Sequence, residues 1–175
     1  MNKLFTSLSI LLILCAFNLD LKAQSDILNP ADPDVIYTAA NQPPPKAWND
    51  YKMYKWGHTA RLGWNPFSFG YKSYLYSGMA FRLKFPKTYQ HNVVDGQKYP
   101  LFIFFHGRGE AGSIYDNEYQ LLHGGQLHAQ KVNDGTFDGF LLYIQSTTGA
   151  SQDYATRVSS LIDSLTKHVK VDLDR

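Results

Sequence analysis

Cysteine is nearly absent: Cys15 is the only one in 175 residues. It lies close to the N-terminus, so the body of the chain can hold no disulfide, no thiol nucleophile and no cysteine-based metal site. Long apolar runs are missing too. Leu4 to Phe17 falls short of the roughly 20 residues a membrane span needs and carries small polar interruptions. Charge is sparse and balanced, with 17 Lys+Arg against 15 Asp+Glu. Such a chain makes no electrostatic case for nucleic acid or an anionic membrane as a partner. It contains no internal repeat and no H-E-x-x-H, and no serine has glycine at both −2 and +2. The last absence excludes a G-x-S-x-G nucleophile turn within these residues.

What is present is globular in composition, 44% hydrophobic and 18% charged. Met1-Asn2-Lys3, the apolar stretch to Phe17 and Leu21-Lys22-Ala23 together predict a cleaved signal peptide over 1–23. Leu14 stands before Cys15 where a lipoprotein signal needs a small residue, which argues against lipidation. The expected product is secreted or periplasmic, without a stable membrane anchor. Past residue 23 there remain 15 basic and 14 acidic residues, a net charge of +1. Residues 24–50 hold five of the eight prolines, with Pro43-Pro44-Pro45 favouring an extended spacer, and read as a Pro-rich leader.

From Tyr51 to Tyr76 there are nine aromatics in 26 residues. Most are expected to pack between strands, because their spacing marks no single face. Trp56 and Trp64 are the candidate substrate-binding aromatics, since indole faces stack on sugars and aryl esters. Ser77 to Phe85 alternates, Met79, Phe81, Leu83 and Phe85 against Ala80, Arg82 and Lys84, which predicts an outer, half-exposed strand. Asp95-Gly96 supplies a turn. Leu101 to Phe105 and Phe140 to Ile144 are continuous apolar runs, the pattern of strands buried on both faces. More than thirty residues join them, which suits a right-handed βαβ crossover. Between them Tyr115 to Glu118 reads as a helix start, with Leu121, Leu122 and Leu127 as apolar positions and Gly124-Gly125 interrupting. Asp153 to Lys170 is helical by period, with Tyr154, Val158, Leu161, Ile162 and Leu165 on one face. Ser151 or Asp153 would cap its start, and Val171 to Arg175 reads as a link into a following strand.

The first of the apolar runs breaks into His106-Gly107-Arg108-Gly109-Glu110-Ala111-Gly112, three glycines in seven positions. A buried strand opening into exposed amides is a common way to bind negative charge. LFIFFHG followed by RGEAG resembles the third strand and oxyanion loop of secreted α/β-hydrolase esterases, the polyhydroxybutyrate depolymerase and feruloyl esterase group. In weaker form the resemblance runs from about Ser77 to Arg175. It implies an α/β fold, a mostly parallel sheet with flanking helices and antiparallel N-terminal strands. It also implies that the backbone N–H groups of Arg108 and Gly109 hold an oxyanion, with His106 and Gly107 shaping the loop. The substrate would be an ester of a plant polysaccharide or a polyester, with no cofactor.

In that family the triad runs Ser, then Asp or Glu, then His, so a nucleophile beyond Arg175 leaves none of the six histidines as its base. Residues 51–175 therefore read as the N-terminal half of a hydrolase domain, inactive alone and prone to self-association at an open sheet edge. Two other readings compete: a non-catalytic carbohydrate-binding or interaction module, and a prolyl oligopeptidase-type peptidase fragment. A metal site is disfavoured, because His123 and His128 lie five apart with Asp116 and Glu118 near. Glu110 is expected to hold the loop through backbone amides.

Overall fold

A computed structural model describes residues 27–31, 36–37, 55–56, 62–113, 118–148 and 154–175. The signal segment 1–23 lies outside the described residues, as does most of the leader 24–50. β1 (Ile36–Tyr37) and β2 (Lys55–Trp56) form a short parallel pair.

The main sheet begins with a hairpin. β3 (Tyr71–Tyr76) and β4 (Met79–Lys84) pair antiparallel, with Tyr76 opposite Met79. Only Ser77 and Gly78 separate them, both at positive φ, 48° and 72°. This is the two-residue turn whose twist matches paired strands. β5 (Tyr99–Phe105), β6 (Phe140–Ile144) and β7 (Val171–Asp172) follow. The order across the sheet is β3-β4-β6-β5-β7. β4 is antiparallel to both neighbours, while β6, β5 and β7 are parallel, so four strands of five run one way.

Two helices cover the two faces. α1 (Gly125–Asp134) buries Ala129 and Val132 against Leu121, Tyr71, Leu141 and Tyr143. α2 (Ala155–His168) buries Val158, Leu161 and Leu165 against Phe81, Leu83, Phe140, Leu142 and Ile144. Alternate residues of β6 thus feed opposite cores, which explains why its five residues are all apolar and all buried. Among the described residues no helix is long and apolar enough to cross a membrane.

Several expectations need correction. β4 is not half-exposed: it lies between β3 and β6, and all six residues are buried. Its polar side is buried with partners. Lys84 Nζ donates to the Phe69 carbonyl at 2.7 Å, and Arg82 lies 3.9 Å from Glu118 and over the Phe67 ring. β5 is the more open strand, with Phe102 38% and Phe105 44% exposed, because β7 pairs with it only at Tyr99 and Pro100. The 171–175 link is already a strand at its start, β7. Of the apolar positions Leu121, Leu122 and Leu127, only Leu121 is buried. The N-cap of α2 is Tyr154, whereas Ser151 and Asp153 lie outside the described residues.

Candidate functional site

In an open sheet with parallel strands, ligands sit outside the carboxyl ends, where neighbouring connections leave to opposite faces. Here that point falls between β5 and β6. The chain leaving β5 goes to α1 on one face, and the chain leaving β6 goes to α2 on the other. In-register pairing sets Phe105 beside Ile144, so the next residues, His106 and Gln145, emerge side by side.

His106 is the hinge of the loop that follows β5. It is buried, and both ring nitrogens are engaged. Nε2 accepts from the Ser146 backbone N–H at 2.8 Å, and Nδ1 lies 2.7 Å from the Gly107 carbonyl. A backbone N–H can only donate, so the ring proton sits on Nδ1 and donates to Gly107. Gln145 Nε2 reaches the Glu110 carbonyl at 2.9 Å, and Gly112 N–H donates to the Ser146 carbonyl at 2.9 Å. The loop is therefore clamped at three points to the end of β6.

Within the clamp, Arg108–Glu110 forms one tight turn, with Gly107 extended before it. The N–H groups of Glu110 and Ala111 bond back to Gly107 and Arg108. Those of Arg108 and Gly109 find no acceptor among the described residues, as expected at the first turn of a helix. Gly107, Arg108 and Gly109 are all exposed. Two adjacent N–H groups are thus left without an acceptor among the described residues, in an exposed turn on a clamped backbone at the carboxyl end of β5.

The Glu110 carboxylate lies beneath this turn. Oε1 accepts from His123 Nε2 at 3.1 Å, and Oε2 lies 2.9 Å from where a Cβ on Gly107 would be. Glycine at 107 is needed for that close approach, whereas the space at Gly109 is open. Gln145 Oε1 is buried and has no hydrogen-bond partner among the described residues. His128, next to the same segment, bonds Tyr143 OH, and burial holds its imidazole below the usual histidine range. Burial likewise pushes the Tyr143 and Tyr71 phenols up, so both remain neutral donors.

Neither a family model nor a curated protein matches this sequence. Among solved structures, a thermostable esterase aligns with 54% of this chain and 28% of its own, at 25% identity and a TM-score of 0.44. The chain spans little more than a quarter of that structure's length.

His106, Gly107, Arg108 and Gly109 come together in the clamped turn. Glu110 departs from expectation: its carboxylate holds His123, and its carbonyl, not its side chain, ties the loop to Gln145. His123 and His128 point to separate partners, Asp116 lies outside the described residues, and Glu118 pairs with Arg82. Among the described residues no group of three His, Cys, Asp or Glu side chains could hold a metal ion. Trp64 is half-buried, edge-on to Phe69 at 5.2 Å and against the backbone of Gly125. The backbone of Trp56 is in β2, but its side chain lies outside the described residues. Gln145 and Ser146 escaped sequence reasoning, since they lie 39 and 40 residues from His106. Aligning the ends of the two apolar strands would have found them.

Proposed function

We propose that this chain carries the oxyanion loop of a secreted α/β-hydrolase-like esterase, with the Arg108 and Gly109 N–H groups as donors. The reading rests on one observation: two amides without an acceptor among the described residues, fixed by the His106–Ser146 and Gln145–Glu110 clamps at the carboxyl end of the third sheet strand. The strand order and the opposite placement of α1 and α2 favour the same fold. In ester hydrolysis such donors stabilise the negative oxygen of the tetrahedral intermediate and, when removed singly, cost about 10²–10³ in rate. A further donor comes from the residue after the nucleophile in this fold, and no G-x-S-x-G lies in this sequence. The 175 residues alone are therefore expected to hydrolyse p-nitrophenyl acetate no faster than background.

The donors themselves are tested by titrating the protein with phenylphosphonate, whose oxygens stand in for the tetrahedral oxyanion. Saturable shifts of the Arg108 and Gly109 amide ¹H–¹⁵N signals are expected. Shifts confined to surface lysines would refute the reading. The Trp64 ring packs into the α1 core, so no observation favours the carbohydrate-binding alternative at that residue.

A further inference from the structure

A carboxylate is an odd neighbour for an anion site. Glu110 Oε2 lies 2.9 Å from the Cβ position of Gly107, and covalent geometry then sets it within about 6 Å of the Arg108 N–H. An unbalanced negative charge at that distance opposes any oxyanion those amides would hold. The only side chain bonded to the Glu110 carboxylate among the described residues is His123, Nε2 to Oε1 at 3.1 Å. His123 is itself 66% exposed in its side chain and belongs to no core.

We infer that His123 is a positioning residue for the oxyanion loop: its Nε2–H donates to Glu110 Oε1 and holds the carboxylate in place beneath the turn, so that the Arg108 and Gly109 amides can accept an anion. The inference rests on the oxyanion reading given above. Glu110 ties the end of the turn at two points, by its carbonyl to Gln145 and by its carboxylate to His123. Histidine is the compensating partner because it can donate from Nε2 while remaining at the surface. The donated hydrogen bond disperses part of the carboxylate's negative charge, and this separates the role from a plain structural bond.

The experiment is a set of phenylphosphonate titrations followed at the Arg108 and Gly109 amides. The proteins are wild type, His123→Ala, His123→Gln, Glu110→Gln and the double variant His123→Ala/Glu110→Gln. His123→Ala is expected to weaken binding about tenfold, the scale of one unscreened charge at this separation after allowance for solvent and salt. His123→Gln, which keeps a donor on a differently shaped side chain, should fall between. The double variant should recover wild-type affinity to within about twofold, because no charge is left to disperse. Unchanged affinity in His123→Ala, or a double variant as weak as His123→Ala, would overturn the inference while leaving the oxyanion site intact. A wild type without shifts at these amides removes the site and this role together.

Discussion

Gly107 and Gly109 are neighbours in one exposed turn, yet alanine should affect them in opposite directions. At Gly107 the backbone is extended, φ −80° and ψ 179°, a conformation alanine adopts without strain. The cost there is all in contact, since a new Cβ would meet Glu110 Oε2 at 2.9 Å. A carbon–oxygen contact needs a few tenths of an ångström more, so the carboxylate must swing. Its bond to His123, already 3.1 Å, then lengthens past useful range. The expected loss is up to about 1 kcal/mol, because the flexible carboxylate can swing and its partner His123 is largely exposed to solvent. At Gly109 a Cβ meets nothing within 4 Å, and the loss of unfolded-state freedom makes alanine neutral or stabilising by up to about 1 kcal/mol. Thermal melts by circular dichroism should therefore show Gly107→Ala a few degrees below wild type and Gly109→Ala at or above it. Glu110→Ala removes the obstructing oxygen, so Gly107→Ala should cost almost nothing in that background. Additive losses in the double variant, or a larger loss at Gly109, would refute the packing described here.

Three further outcomes follow from the buried polar and apolar contacts. Burial lowers the Lys84 ammonium to about 8, so the unfolded chain binds its proton more tightly. Stability should therefore rise with pH from about 8 towards 10, by about 1–3 kcal/mol, and Lys84→Met should abolish the slope; a flat wild-type profile in urea melts would contradict it. Arg82 and Glu118 are both fully buried and 3.9 Å apart, so Glu118→Ala should destabilise the fold, by up to about 3–5 kcal/mol, through loss of the carboxylate beside the buried guanidinium; a change under 1 kcal/mol would show that Glu118 matters little. Leu161→Ala should cost about 2–5 kcal/mol because its side chain is fully buried under the sheet, whereas Leu127→Ala, 56% exposed, should stay within about 0.5 kcal/mol in the same denaturation assay.

Local pattern carried much of the fold. The apolar runs at 101–105 and 140–144 are strands, and the 3.6-residue period from Tyr154 to Leu165 is a buried helix face. Burial was harder to read, because it depends on who sits beside whom. Alternation in Ser77–Phe85 suggested one wet face, but β3 and β6 flank β4 and the loops at Phe67, Phe69 and Glu118 close over Arg82 and Lys84. β3 itself has aromatics on both faces, Tyr71 towards α1 and Tyr74 towards α2, which erases its period. The turn at Arg108–Glu110 was legible from glycine spacing. Its supports were not, since His106 is held by Ser146 and Glu110 by His123 and Gln145, all distant in sequence.

The most direct measurement of the central claim is a crystal structure of the protein soaked with phenylphosphonate. One phosphonate oxygen is expected about 2.7–3.1 Å from the backbone nitrogens of both Arg108 and Gly109. A well-ordered phosphonate bound elsewhere, with those two amides turned to solvent, would contradict it.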